Sequence, residues 1–339
     1  MLPKLRMGHC ALLLFVCAGV LVQHANAASC TTQSQMTASQ RDALAAAARG
    51  ILSQVQQGDE LGLRANTIPA VAADFDGIAA SVNSLRPLVQ GAAITVEELY
   101  ELNASTDPPG SPRTDFFCGS PVVVLNFTSL PPGKYALAIL HATGVPQPQL
   151  VSLILSGTAE NRWMFAGIFS KAMIEAGHDG LWYWTAARKY AQKNMRWDAW
   201  LYYRMAADLL DPLEFLSSSN LQKLQHESEQ VRPDNLPGDK SIKLDAHGSV
   251  FEVTTIGTTS ALGALDLDVH YAPDVTQTAQ LRDTQVARKQ VADVMTALLA
   301  LHPELQDAFH GMWVHADSGN ASIFALELPM RDSTTGTTQ

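Results

Sequence analysis

The spacing of apolar positions divides the chain into stretches of different period. Leu44, Ala47, Ala48, Ile51, Leu52 and Val55 recur at helical intervals behind Thr37 and Gln40, which have capping-box spacing. A helix is therefore predicted over 37–57. Phe75, Ile78, Ala79, Val82 and Leu85 mark the apolar face of a second helix over 68–89, with Pro69 near its start and Gly91 just past its end. Residues 93–102 are mixed, and 103–114 (NASTDPPGSPRT) read as a loop. The period then shortens. Val122 to Phe127 is continuously apolar. Tyr135, Leu137 and Ile139 alternate with their neighbours, as do Val151, Leu153 and Leu155, and Trp163 to Phe169 (WMFAGIF) closes the series. Turns at Pro131-Pro132-Gly133 and at 157–161 fit an antiparallel sheet curved around the helices.

Helical spacing returns over 181–194 and 196–210. Asp211-Pro212 reads as the end of one helix and the start of another, Ser217 to Ser219 is polar, and a short helix covers 221–231. Residues 232–240 (RPDNLPGDK) form a linker. Strands follow at 249–255 and 264–271. Then comes a helix carrying Ala287, Val291, Val294, Leu298 and Leu301, limited by Pro303, and strands at 312–315 and 322–328. The expected class is α+β. Helices on a curved antiparallel sheet (28–175) precede a helical hairpin with a short helix (176–231), the linker, a ββαββ domain (241–330) and a disordered tail (331–339).

The first residues change the reading of compartment. Lys4 and Arg6 precede the apolar run Cys10 to Val22, followed by Ala25-Asn26-Ala27, the pattern of a secretory signal peptide over 1–27. The run is shorter than the roughly 20 residues a membrane span needs. Cleavage near Ala27 would shorten the 339-residue chain to 312 and cut Lys+Arg from 23 to 21 against 33 Asp+Glu, a net charge of about −12. A nucleic-acid footprint would be basic, so nucleic acid is excluded as a partner. The expected location is periplasmic or secreted, with no membrane span in the mature chain. Cys30 and Cys118 then remain, and an oxidising compartment favours pairing them. A lipid-modified Cys30 and two free thiols are the alternatives.

Element order and the closing Trp-x-Phe-Ala-Gly-x-Phe strand make residues 37–171 resemble the nuclear transport factor 2-like (NTF2-like, cone-shaped α+β) superfamily, which implies a pocket between helix and sheet. Tyr183, Ala186, Ala187, Tyr190, Ala199, Tyr203 and Ala206 make 181–210 resemble a single tetratricopeptide repeat (TPR). Phe116-Phe117-Cys118-Gly119, Leu130-Pro131-Pro132-Gly133-Lys134-Tyr135 and Gly177-His178-Asp179-Gly180-Leu181-Trp182-Tyr183-Trp184 together resemble a group of exported bacterial proteins. That last resemblance implies an architecture and a compartment, but no reaction.

Candidate chemistry is sparse. There is no Gly-x-Ser-x-Gly, His-Glu-x-x-His, phosphate-binding glycine loop or Cys-x-x-Cys. His178 with Asp179 could transfer a proton, although a capping turn with Asp179 as N-cap is the preferred reading. His141, on a strand, could face the cone interior as an acid or base. Asp266, Asp268 and His270, at i, i+2 and i+4, could present metal ligands side by side, with His310 and His315 near the opposing strand. The preferred reading of that face is a solvated strand surface. Trp182, Trp184, Trp197, Trp200 and Tyr203 are the candidate binding residues of an aromatic hairpin, although wedging the hairpin against the sheet domain is the preferred reading, since a single repeat must bury its face somewhere. The expected role is an exported, non-enzymatic interaction or scaffold protein, without a cofactor, whose hairpin meets a protein partner in the cell envelope. The alternative is a small-molecule binder or a lyase or isomerase that uses the cone pocket.

Overall fold

Helices on one side and a second sheet on the other enclose a central five-stranded sheet in the N-terminal half. The computed structural model describes residues 28–330 apart from 120, 121, 161, 239 and 320. The predicted signal peptide and the tail after Met330 lie outside the described residues. The N-terminal elements are β1 (Ser29–Thr32), α1 (Ala38–Gln57), α2 (Glu60–Ala65), α3 (Pro69–Ala72), α4 (Asp76–Val89), β2 (Ala93–Asn103), β3 (Arg113–Cys118), β4 (Val123–Thr128), β5 (Lys134–Thr143), β6 (Gln149–Gly157) and β7 (Trp163–Ala172). A connecting region follows: β8 (Ile174–Glu175), β9 (His178–Asp179), α5 (Gly180–Gln192), α6 (Arg196–Leu210), β10 (Leu216–Ser218) and α7 (Ser219–Val231). The C-terminal elements are β11 (Ile242–Ala246), β12 (Ser249–Thr259), β13 (Asp266–Ala272), α8 (Val275–Gln280), α9 (Thr284–Leu301), α10 (Leu305–Ala308), β14 (Gly311–Ser318) and β15 (Ala321–Pro329).

The first sheet runs β1-β2-β5-β6-β7, antiparallel throughout. One face carries Ala136, Ala138, Leu140, Val151, Leu153 and Leu155 against Leu44, Leu52, Val55, Leu85 and Val89 of the helices. The other carries Leu137, Ile139 and Ile154 against the three-stranded sheet β10-β4-β3 through Phe116 and Leu125. Apolar cover on both sides is why these strands read as near-continuous hydrophobic runs. The capping box of α1 forms as predicted: Gln40 N–H donates to Thr37 Oγ1 at 3.3 Å, and Thr37 N–H donates to Gln40 Oε1 at 3.0 Å. Cys30 on β1 is bonded to Cys118 at the end of β3, with Cα atoms 5.2 Å apart.

Several expectations change. The helix over 68–89 is two helices, because the chain turns after Ala73 and buries Phe75, 3% exposed, before α4 begins. The mixed stretch 93–102 is a full strand, β2. A bulge between Val96 and Glu98 shifts its register, and this hides the alternation. No helix follows Asp211-Pro212 before β10, which instead pairs with β4. The C-terminal unit has three strands before its helices, since Ile242, Leu244 and Ala246 alternate inward on β11.

That unit is a sheet ordered β11-β12-β13-β14-β15, with β13 and β14 parallel and the other pairs antiparallel. Leu267, Val269, Tyr271, Met312, Val314 and Ala316, all fully buried, face Val291, Val294 and Leu298 of α9. The α5–α6 hairpin belongs to the same core. Tyr202 donates to the Ala308 carbonyl at 2.7 Å, and Trp197 lies 4.8 Å from the His302 ring. Among the described residues no helix is long and apolar enough to cross a membrane.

Candidate metal centre

The outer face of the C-terminal sheet carries the densest convergence of donor atoms. Strand alternation sends Asp266, Asp268 and His270 of β13 to the face opposite α9, together with Trp313, His315 and Asp317 of β14. The parallel register sets His270 beside His315 and Asp268 beside Trp313. The two imidazoles stack, with centroids 4.4 Å apart and planes 10° apart, and Trp313 continues the stack at 6.0 Å from His315.

Each histidine has a partner behind it. His270 Nδ1 is 2.7 Å from Asp317 Oδ2, and His315 Nδ1 is 3.4 Å from Ser322 Oγ. A proton held on Nδ1 by such an acceptor leaves Nε2 with its lone pair free. Both Nε2 atoms face one carboxylate oxygen: His315 Nε2 is 3.1 Å and His270 Nε2 is 3.4 Å from Asp268 Oδ1. Ligand atoms at about 2.0–2.1 Å from a tetrahedral Zn²⁺ are about 3.3 Å apart. Asp268 Oδ1 already stands at about that separation from both Nε2 atoms, and one donor atom from each of the three residues lies within 4.8 Å of the others. The stacked, near-parallel rings turn out of their stack if both Nε2 lone pairs are to converge on one ion. Each of the three side chains keeps about a quarter of its surface exposed, so a fourth position is open to water or a ligand.

The solvated-face reading is corrected here. Asp266 is fully buried and Asp268 and His270 are mostly covered, because β13 and β14 are central strands whose polar side chains are flanked by β12 and β15. Burial, and then the nearby charge of Asp266, raises the Glu327 carboxyl above the usual range, while His310 opposes the shift. Asp317 and Glu327 escaped the sequence reading. The available signal was the mirrored order of Asp268-Val269-His270 and His315-Ala316-Asp317, which becomes informative only once the strands are known to be neighbours.

No family model, curated protein or solved structure matches the chain. The site therefore rests on its own geometry.

The other candidate residues do different things. Asp179 caps α5, its Oδ1 accepting from Trp182 N–H at 2.8 Å, and His178 stacks on Trp182 at 3.6 Å. The Asp179 carboxylate is thus occupied by the helix terminus. His141 does not face the helices. Its neighbours Leu140 and Ala142 do, so alternation turns His141 to the other face, with Nδ1 3.4 Å from Glu97 Oε1 in a cleft of about 440 Å³. The acid or base role inside the cone is withdrawn for this residue.

The aromatic hairpin is mostly interior. Trp184, Trp197 and Tyr203 are 9%, 3% and 3% exposed, Trp200 is half-buried, and Trp182 alone of the five is open, at 41%. Three of its side chains hold Glu227 of α7. Trp184 Nε1 donates to Oε2 at 2.7 Å, Arg188 donates to Oε2 and Oε1 at 2.7 and 2.8 Å, and Tyr203 donates to Oε2 at 3.2 Å. The Arg188 guanidinium, followed by these hydrogen bonds, holds the Glu227 carboxyl below the usual carboxylate range. The resulting stability is present above that range and is lost as the pH falls through the lowered value. Glu227→Ala is expected to cost about 2–3 kcal/mol at pH 7, since it leaves half-buried donors unpaired. Urea denaturation at pH 7 measures it, and the gap to the parent should narrow in acid.

Proposed function

We propose that this chain is an exported binding protein that holds a divalent transition-metal ion of the Zn²⁺ class at Asp268, His270 and His315. The observation that carries the reading is the convergence of two imidazole Nε2 atoms on one carboxylate oxygen at 3.1 and 3.4 Å, with Asp317 behind His270. Two nitrogens and one oxygen form a borderline donor set that suits Zn²⁺ and its late first-row neighbours better than Mg²⁺ or Ca²⁺. Zn²⁺ titration of the chelator-treated protein, followed by histidine ¹⁵N NMR, tests it. Both His270 and His315 Nε2 resonances should move together, and Asp268→Asn should abolish the effect. Asp317→Ala should weaken binding about 10–100-fold, as loss of an outer partner does. Saturating Zn²⁺ with no shift at either ring would remove the reading.

Export is supported by the apolar segment 10–22 ahead of Ala25-Asn26-Ala27 and by the Cys30–Cys118 bond, which persists in oxidising compartments. The cone-like likeness of residues 37–171 is supported by helices laid on an antiparallel sheet, and the repeat-like likeness of 181–210 by the close pairing of α5 and α6. A protein partner in the envelope would meet the hairpin at Leu181 and Trp182, which are 60% and 41% exposed. Trp182→Ala should then abolish crosslinking to that partner without changing the far-ultraviolet spectrum; unchanged crosslinking would count against the surface.

A further inference from the structure

We infer that the same sheet face carries a second, separate cation site formed by Asp266, Glu327 and His310, biased toward a harder ion of the Mn²⁺ class. Asp266 is the observation that demands a partner. It is fully buried, and neither of its carboxylate oxygens has a hydrogen-bond partner. A buried carboxylate with no donor is costly, and proteins normally neutralise it with a paired charge or a metal. His310 Nδ1 stands 3.4 Å from Asp266 Oδ1 without making that hydrogen bond, and the His310 side chain is itself two-thirds exposed.

The second observation is a cradle. Gly311 opens β14 between Asp266 on one neighbouring strand and Glu327 on the other. A Cβ at Gly311 would lie 2.2 Å from Glu327 Oε1 and 3.1 Å from Asp266 Oδ1. The missing side chain is therefore the space over which the two carboxylates meet. One donor atom from each of Asp266, His310 and Glu327 falls within 4.8 Å of the others. Two carboxylates and one imidazole form a more oxygen-rich set than the neighbouring site, which shifts preference toward Mn²⁺. Asp266 and Asp268 are two residues apart on an extended strand, about 6.6 Å along it. That exceeds the roughly 3.5–4 Å of a bridged two-metal centre, so the ions would bind as neighbours without sharing a ligand.

The test uses the full chain carrying His315→Ala, which disables the first site, after treatment with chelator. Titrated with Mn²⁺ and followed by electron paramagnetic resonance, it should bind one ion per chain. Adding Gly311→Ala fills the cradle without removing a ligand and should weaken binding by at least about tenfold. Asp266→Asn should do the same without adding volume, and near-ultraviolet circular dichroism reports whether either variant keeps its packing. No Mn²⁺ bound to the His315→Ala chain, or binding unchanged by both substitutions, would overturn the second site. Zn²⁺ titration of the unaltered chain reports the first site independently, so the failure of either can be told from the failure of the other.

Discussion

Replacing both Cys30 and Cys118 by alanine should lower the stability of the protein by about 4–5 kcal/mol. The bond spans 88 residues of sequence, and the chain-entropy model assigns about that much to a loop of this length. The position of the bond adds to the argument. β1 is a four-residue strand at the edge of the first sheet, held by pairing to β2 on one side only. Cys118, 1% exposed, ends β3 in the second sheet, so the covalent link fastens β1 to the layer that covers Leu137 and Ile139. Losing it frees both the unfolded chain and the edge strand. Urea denaturation of the parent, of the parent in dithiothreitol and of the double variant measures the effect. The last two should coincide at a lower midpoint, and a loss below about 1 kcal/mol would contradict the anchoring role.

Asp198→Asn should stabilise the protein at pH 9 by on the order of 4 kcal/mol and change little at pH 5. Asp198 lies on α6, fully buried, with neither oxygen hydrogen-bonded. Burial first, and then the charges of Glu304 and Asp307, push its carboxyl from 3.8 up to about 8. The sign follows from that direction. The folded state binds a proton that the unfolded state releases, so stability falls as the pH rises from about 4 to about 8 and then levels off. Asparagine is uncharged throughout and nearly isosteric, so the variant's stability should not fall across that interval on account of residue 198. Glu304 and Asp307, whose charges act on it, border and belong to α10, the element whose Ala308 carbonyl accepts from Tyr202. Equal pH profiles for parent and variant would mean that Asp198 is already ionised and solvated in the folded protein.

The sequence showed the helices best, because their signals are local. Thr37 and Gln40 cap α1, Asp179 caps α5, and the stripe from Ala287 to Leu298 faces the core. Strands were harder wherever pairing, and not periodicity, defines them. The Glu97-Glu98 doublet hides β2 because a bulge absorbs the extra residue, and β10 is three residues that become a strand only by lying beside β4. The candidate metal face was half legible. Asp266, Asp268 and His270 stood out by spacing, but their meaning depends on β14 lying parallel beside β13, a connection made through three helices. The aromatic hairpin was half legible for the same reason. Trp197 and Tyr203 stand in sequence as candidate binding residues, yet they are the interior of a core completed by residues 244–330.

The central claim is that His270, His315 and Asp268 hold a metal ion. Anomalous diffraction at the zinc edge, from crystals grown with Zn²⁺ after chelator treatment, tests it most directly. The structure predicts a peak about 2.0–2.2 Å from His270 Nε2, His315 Nε2 and an Asp268 oxygen, with His270 Nδ1 still bonded to Asp317. A difference map with no anomalous density between those three side chains at saturating Zn²⁺ would contradict it.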